Sequence, residues 1–191
     1  MTRVQAEDGS NKGNQAEGWL LLIYRVPSEP SRLRATVWRR IKSLGAIYLQ
    51  SSVAALPASV HAERALRKLR SEILDMSGSA VLMSCSVIVG EQEVKSAFQA
   101  ARNDEYEEIV DKCHDFLAGL RKEYAENHFS YAELEENEVD LVKLRTWLDR
   151  VRQRDAFGAS GLQTTLTALA ECEEQLEAYA ARVYAEEAEG R

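Results

Sequence analysis

The chain has 191 residues, 45% of them hydrophobic and 29% charged, with a formal net charge of −7. That balance supports a folded core and excludes global disorder, and the length suits one domain or a small domain with a helical extension. No window approaches the roughly 18 consecutive apolar residues of a membrane span, and the N-terminus has no apolar leader core, so a soluble cytoplasmic protein with no membrane partner is expected.

Cys85, Cys113 and Cys172 are far apart and form no C-x-x-C pair, which points to reduced thiols and away from structural zinc. His61, His114 and His128 add no ligand set, because only Cys113 and His114 are adjacent, and neighbours on a helix diverge by about 100°. The charge is uneven. Between Arg25 and Arg70 ten basic residues (Arg25, Arg32, Arg34, Arg39, Arg40, Lys42, Arg64, Arg67, Lys68, Arg70) face two acidic ones, Glu29 and Glu63, while the rest of the chain is acidic. A basic front joined to an acidic rear points to a charged partner.

In chain order, residues 1–17 are polar and lack apolar periodicity, so a disordered tail is expected. Trp19 to Tyr24 is a continuous apolar run bounded by Gly18 and Pro27, the pattern of a buried central strand. After a turn with Pro27 and Pro30, a helix is expected from Ser31, as N-cap, to Leu44, with Gly45 as C-cap. Its core face is Leu33, Val37, Ile41 and Leu44. Ile47 to Leu49 and Val53 to Leu56 read as a hairpin around Gln50-Ser51-Ser52. A second helix follows from about Ser59 to Met76, burying Leu66, Leu69, Ile73 and Met76, and Ala80 to Val89 reads as the last strand. Strand, helix, strand, strand, helix, strand is the order of the ferredoxin-like βαββαβ plan, so the fold class is α+β, with residues 18–90 as that domain. Residues 91–191 are expected to form a C-terminal helical bundle: a long helix to about Asn127 bearing a solvated acidic patch at Asp104 to Glu108, a helix from about Glu138 to Arg154, and a last one from Leu162 to about Glu187.

Motifs for nucleophilic serine, phosphate cradling or zinc catalysis (G-x-S-x-G, P-loop, G-x-G-x-x-G, H-E-x-x-H) are absent from the sequence, so no catalytic residue, cofactor or metal ligand is assigned. The functional candidates are the basic set. Arg34, Trp38 and Lys42 share one helical stripe and Arg32 and Arg39 another; with Arg40 they offer guanidinium and ammonium groups to phosphates and an indole to stack on a base. Arg64, Arg67, Lys68 and Arg70 extend the set on the second helix. The alternatives are solvated helix faces, or neutralisation by the acidic rear within one chain or between two. A lesser cluster, Arg150, Arg152 and Arg154 before the loop Asp155 to Gly161, is a candidate oxyanion site.

Gly18-Trp19-Leu20-Leu21-Leu22, the segment Arg34-Ala35-Thr36-Val37-Trp38-Arg39-Arg40-Ile41-Lys42-Ser43-Leu44-Gly45-Ala46 and Val53-Ala54-Ala55-Leu56-Pro57 resemble the N-terminal region of the ChrB family, bacterial chromate-resistance regulatory proteins. Arg154-Asp155-Ala156-Phe157-Gly158 adds to the likeness. The resemblance implies a non-enzymatic, chromate-linked transcriptional regulator that binds DNA through the basic helices, with chromate or another oxyanion as effector. Longer members carry a second, C-terminal domain tied to the chromate response, for which 191 residues are expected to leave no room. A homodimer through sheet edges or the long rear helices is also expected. Two other readings stand beside this one. One is an assembly module docking on acidic proteins. The other is a ferredoxin-like metal-dependent nuclease, which the order of elements also resembles, although Tyr24-Arg25 stands where that family needs an acidic metal ligand.

Overall fold

The computed structural model describes residues 18–189. The tail expected over residues 1–17 lies outside the described residues. The elements run β1 (Trp19–Arg25), α1 (Ser31–Ser43), β2 (Ile47–Gln50), β3 (Val53–Pro57), α2 (Val60–Asp75), β4 (Ser79–Cys85), α3 (Glu91–Glu126), α4 (Tyr131–Arg154) and α5 (Leu162–Glu189). The fold is therefore α+β, with one four-stranded sheet and five helices. The sheet order is β2-β3-β1-β4, and every neighbouring pair is antiparallel. The apolar first strand is central, as its composition required.

Residues paired across the sheet share a face. Leu20 and Leu22 lie on the face of Leu56 and Ala54, and there α1 contributes Val37 and Ile41 and α2 contributes Leu66, Leu69 and Ile73. On the other face Trp19 meets Phe98 of α3 and Phe157, with ring centroids 6.1 and 5.7 Å away. A second group of buried residues lies among the three long helices: Tyr106, Ile109, Cys113, Phe116, Leu117 and Leu120 of α3, Leu134 to Val151 of α4, and Leu169, Cys172, Leu176, Tyr179 and Val183 of α5. The last five follow alternating spacings of three and four, the seam of helices packed side by side. No helix among the described residues is long and apolar enough to cross a membrane.

The structure corrects the sequence-based reading in four places, three of them element boundaries. Helix α1 begins at Ser31, with Pro30 at its N-cap position and no side-chain cap. Helix α4 starts at Tyr131, well before Glu138, because the Ser130 hydroxyl accepts from the Glu133 amide at 3.3 Å and nucleates the first turn. Strand β4 ends at Cys85, opposite Trp19, because β1 turns away at Gly18 with φ +105 and offers no further partner. Ile88 and Val89 are thus 96% and 88% exposed despite their strand propensity. Within Asp104 to Glu108, Tyr106 is fully buried and Glu105 turns inward to pair, so the segment is not a uniformly solvated patch.

Three phenols, Tyr106 and Tyr179 buried and Tyr48 half-buried, are held above their ordinary range. Burial raises Tyr48, helped by the 3.0 Å hydroxyl contact with Tyr24; burial and Asp155 raise Tyr106; burial, then Glu123 and Glu133, raise Tyr179. A group whose pKa is higher in the folded state stabilises fully below its unfolded pKa, near ~10 for tyrosine, and loses that contribution as pH climbs toward the folded value. Thermal melts between pH 8 and 11 should therefore show Tm falling from about pH 10 upward, with a shallower fall in Tyr48→Phe.

Candidate nucleic-acid interface

Helix α1 is set on the sheet by Val37 and Ile41, with Leu33 and Leu44 partly buried beside them. At about 100° per residue, Arg32, Arg39 and Lys42 then fall on the side opposite the sheet. Arg34 and Trp38 fall on one flank, and Arg40 on the other. Arg40 turns toward α2, where its Nη2 donates to Glu72 Oε1 at 2.9 Å; that carboxylate raises the guanidinium pKa further above its ordinary value. On α2, Arg64 and Lys68 are exposed on the outer side. Trp38 is 51% exposed, so the indole is not absorbed into the packing of the helical rear.

The ten residues singled out on these helices thus divide into two groups. Arg40 pairs with Glu72, Arg67 pairs with Glu63 at 2.7 Å, and Arg70 Nε donates to the Ala80 carbonyl of β4 at 3.1 Å. Arg32, Arg34, Lys42, Arg64 and Lys68 have no carboxylate partner among the described residues, and Arg39 touches only the Ala35 carbonyl of its own helix. Among the described residues, the acidic rear does not neutralise these six cations. They and Trp38 form the outward surface of the α1–α2 layer.

The C-terminal end of α1 is fastened by residues that sequence reasoning placed elsewhere or passed over. Arg102 of α3, its side chain 3% exposed, donates through Nη1 to the Gly45 carbonyl at 2.9 Å and through Nη2 to Glu105 at 3.2 Å. Arg154, at the end of α4, donates to the Ser43 carbonyl at 2.9 Å and to the other oxygen of Glu105 at 2.6 Å. Two carbonyls at the C-terminal end of α1, that of Ser43 in its last turn and that of Gly45 just beyond, are so satisfied, and Glu105 bridges the two guanidiniums. Gly45 has φ +78, and a Cβ there would stand 2.8 Å from Arg154 Cδ, which explains the glycine in the Leu44-Gly45-Ala46 segment. The readable signal was spacing: Phe98, Arg102, Tyr106 and Ile109 repeat along the inner side of α3, which places Arg102 in line with core residues.

Of the candidate oxyanion cluster, Arg154 is taken up in this clamp. Arg152 approaches Asp149 at 3.9 Å, and Arg150 lines a cleft of about 980 Å³ with His61 and Gln153. The loop amides after them are also used: Ala159 donates to Asp155 at 2.9 Å and Gly161 to Asn103 at 2.8 Å. Asp155 further accepts from the Tyr106 hydroxyl at 3.1 Å. Cys113 and Cys172 are buried together, with Cys172 Sγ 3.6 Å from the Cys113 carbonyl. Among the described residues no group of three His, Cys, Asp or Glu side chains is placed to hold a metal ion.

The family model described as "Protein ChrB, N-terminal" matches residues 34–190, from the first exposed arginine flank of α1 to the end of α5. Protein ChrB of Cupriavidus metallidurans is 30% identical over 90 residues, which cover 47% of this chain and 28% of that protein. The chain therefore matches less than a third of the relative's length. A family match over most of the chain, including most of α1, the Gly45 clamp and the three-helix core, carries the assignment: this chain belongs to the ChrB N-terminal family.

Proposed function

We propose that this chain is a non-enzymatic regulator linked to chromate resistance, which binds duplex DNA with the outer surface of α1 and α2. The observation that carries the reading is the set of six cations without carboxylate partners among the described residues, around a half-exposed tryptophan, in a chain whose net charge is −7. Leaving such cations together in an acidic chain places the attraction for a polyanion on one surface and repels it from the others. The order β4-β1-β3-β2 supports reading the sheet as ferredoxin-like, with both helices on one side as a platform. The clamp from Arg102 and Arg154 gives that platform a fixed angle to the helical rear.

Phosphate binding releases counterions, so affinity for DNA upstream of the gene should fall steeply with salt. With one phosphate neutralised by each of the six cations, fluorescence anisotropy is expected to give a log–log slope of roughly −5 between 50 and 200 mM salt. A flat salt dependence, or no binding at the low end, sinks the proposal.

A further inference from the structure

The two edges of the sheet differ. Strand β2 has four residues and a register shift between Tyr48 and Gln50, which spoils it as a template. Strand β4, Ser79-Ala80-Val81-Leu82-Met83-Ser84-Cys85, has seven residues, regular pairing to β1, no charge and no proline. A long, uncharged edge of this kind is ready to accept another strand.

Its free backbone groups can be assigned. The Ala80 carbonyl is taken from outside by Arg70 Nε, and the paired Tyr24 sends its own amide to the opposite side, to Ser52 O at 3.0 Å. In an antiparallel ladder the N–H and C=O of a residue point to one side and the sides alternate. Ala80, Leu82 and Ser84 therefore face the open edge, while Val81 and Met83 hold β4 to β1. Beside that edge runs a groove of about 300 Å³ lined by Glu63, Arg67, Arg70 and residues of β4.

We propose that the occupant of this edge is a second copy of the chain, with β4 pairing antiparallel to β4 of its partner about a two-fold axis at Leu82. Three features fit a self-complementary contact. Leu82 meets its own equivalent in a doubly hydrogen-bonded pair, and Ala80 meets Ser84 of the other copy; the Ala80 oxygen keeps a lone pair beyond the one Arg70 uses. Val81 and Met83, 56% and 39% exposed, fall opposite each other across the seam and cover apolar surface. Glu63 and Arg70, on the flank of α2 above the edge, are seven residues apart, a rise of ~10.5 Å. That is close to the ~13 Å between strand positions 80 and 84. Reversing direction about the axis sets each Arg70 against the other copy's Glu63. The eight-stranded sheet so formed carries both α1–α2 layers on one side, so the basic surface is doubled with two-fold symmetry.

The test is the oligomeric state of the full chain by light scattering and sedimentation, with circular dichroism melts to verify folding. Wild type is expected to be a dimer. Val81→Lys with Met83→Lys places like charges opposite each other on exposed positions, and Ser84→Pro removes an amide that β1 does not use. Each should raise the dimer dissociation constant at least about tenfold, while the monomer stays folded. Arg70→Glu should weaken the dimer, and adding Glu63→Arg should restore it. A monomeric wild type, or a dimer untouched by the double lysine variant, overturns the proposal. DNA binding is read separately, so a monomer that still binds DNA rejects the dimer alone.

Discussion

Replacing Glu105 by alanine is expected to lower the free energy of unfolding by about 3–5 kcal/mol, the loss typical when one partner of a buried ion pair is removed. Glu105 accepts from Arg102 at 3.2 Å and from Arg154 at 2.6 Å. Without it two guanidiniums remain side by side, one of them almost wholly out of water. Burial already lowers the Arg102 pKa; Glu105 opposes that effect and Arg154 adds to it, so the carboxylate is the group that makes a charged Arg102 tolerable there. The Nε atoms of both arginines have no hydrogen-bond partner among the described residues, and the remaining compensation is two backbone carbonyls. Urea denaturation of Glu105→Ala should show a lower midpoint with an unchanged slope. Glu72→Ala is the contrasting case, since its partner Arg40 is half exposed, and exposed pairs of that kind contribute about 0–1 kcal/mol. Equal losses in the two variants would show that the clamp does not carry the junction between α1 and the helical rear.

The clamp also marks where reading the sequence stopped. The apolar run of Trp19 to Tyr24 and the spacing of Val37, Ile41, Leu66, Leu69 and Ile73 depend on local periodicity, and the strands and helices they announced are in place. Sheet order and the partners of the charges depend on residues distant in sequence. Arg154 meets Ser43 across 111 residues and Arg102 meets Gly45 across 57, and no local pattern encodes either. Arg154 therefore looked like part of an oxyanion cluster, and Glu105 like one of several surface carboxylates. Ala80 to Val89 failed in a different way: strand propensity persists through Ile88 and Val89, but a strand lasts only as long as its neighbour, and β1 begins only at Trp19, opposite Cys85. The basic residues were visible as a set, yet only tertiary structure separates Arg40, Arg67 and Arg70, which are held by other elements or by Glu63, from the six cations with no carboxylate partner among the described residues.

That separation leads to the prediction with the largest effect on binding. Changing Arg34, Arg39 and Lys42 together to glutamate should reduce DNA affinity about a hundredfold or more near 0.1 M salt and make the salt slope shallower by about 3, one for each phosphate that is no longer neutralised. The proper control changes Lys112, Lys122 and Lys143 to glutamate. These lysines are exposed on α3 and α4, so the net charge shifts by the same amount on a different surface. If affinity follows total charge, the two triple variants weaken alike; if it follows the α1–α2 surface, only the first does. Trp38→Ala separates the indole's apolar contact from charge: the variant should bind more weakly with an unchanged salt slope, because the indole neutralises no phosphate. Arg40→Ala should weaken binding less than Arg39→Ala, because Glu72 already holds the Arg40 guanidinium. Binding that survives the α1 triple reversal would remove α1 from the interface and leave its cations as solvated side chains on a helix whose only task is to cover the sheet.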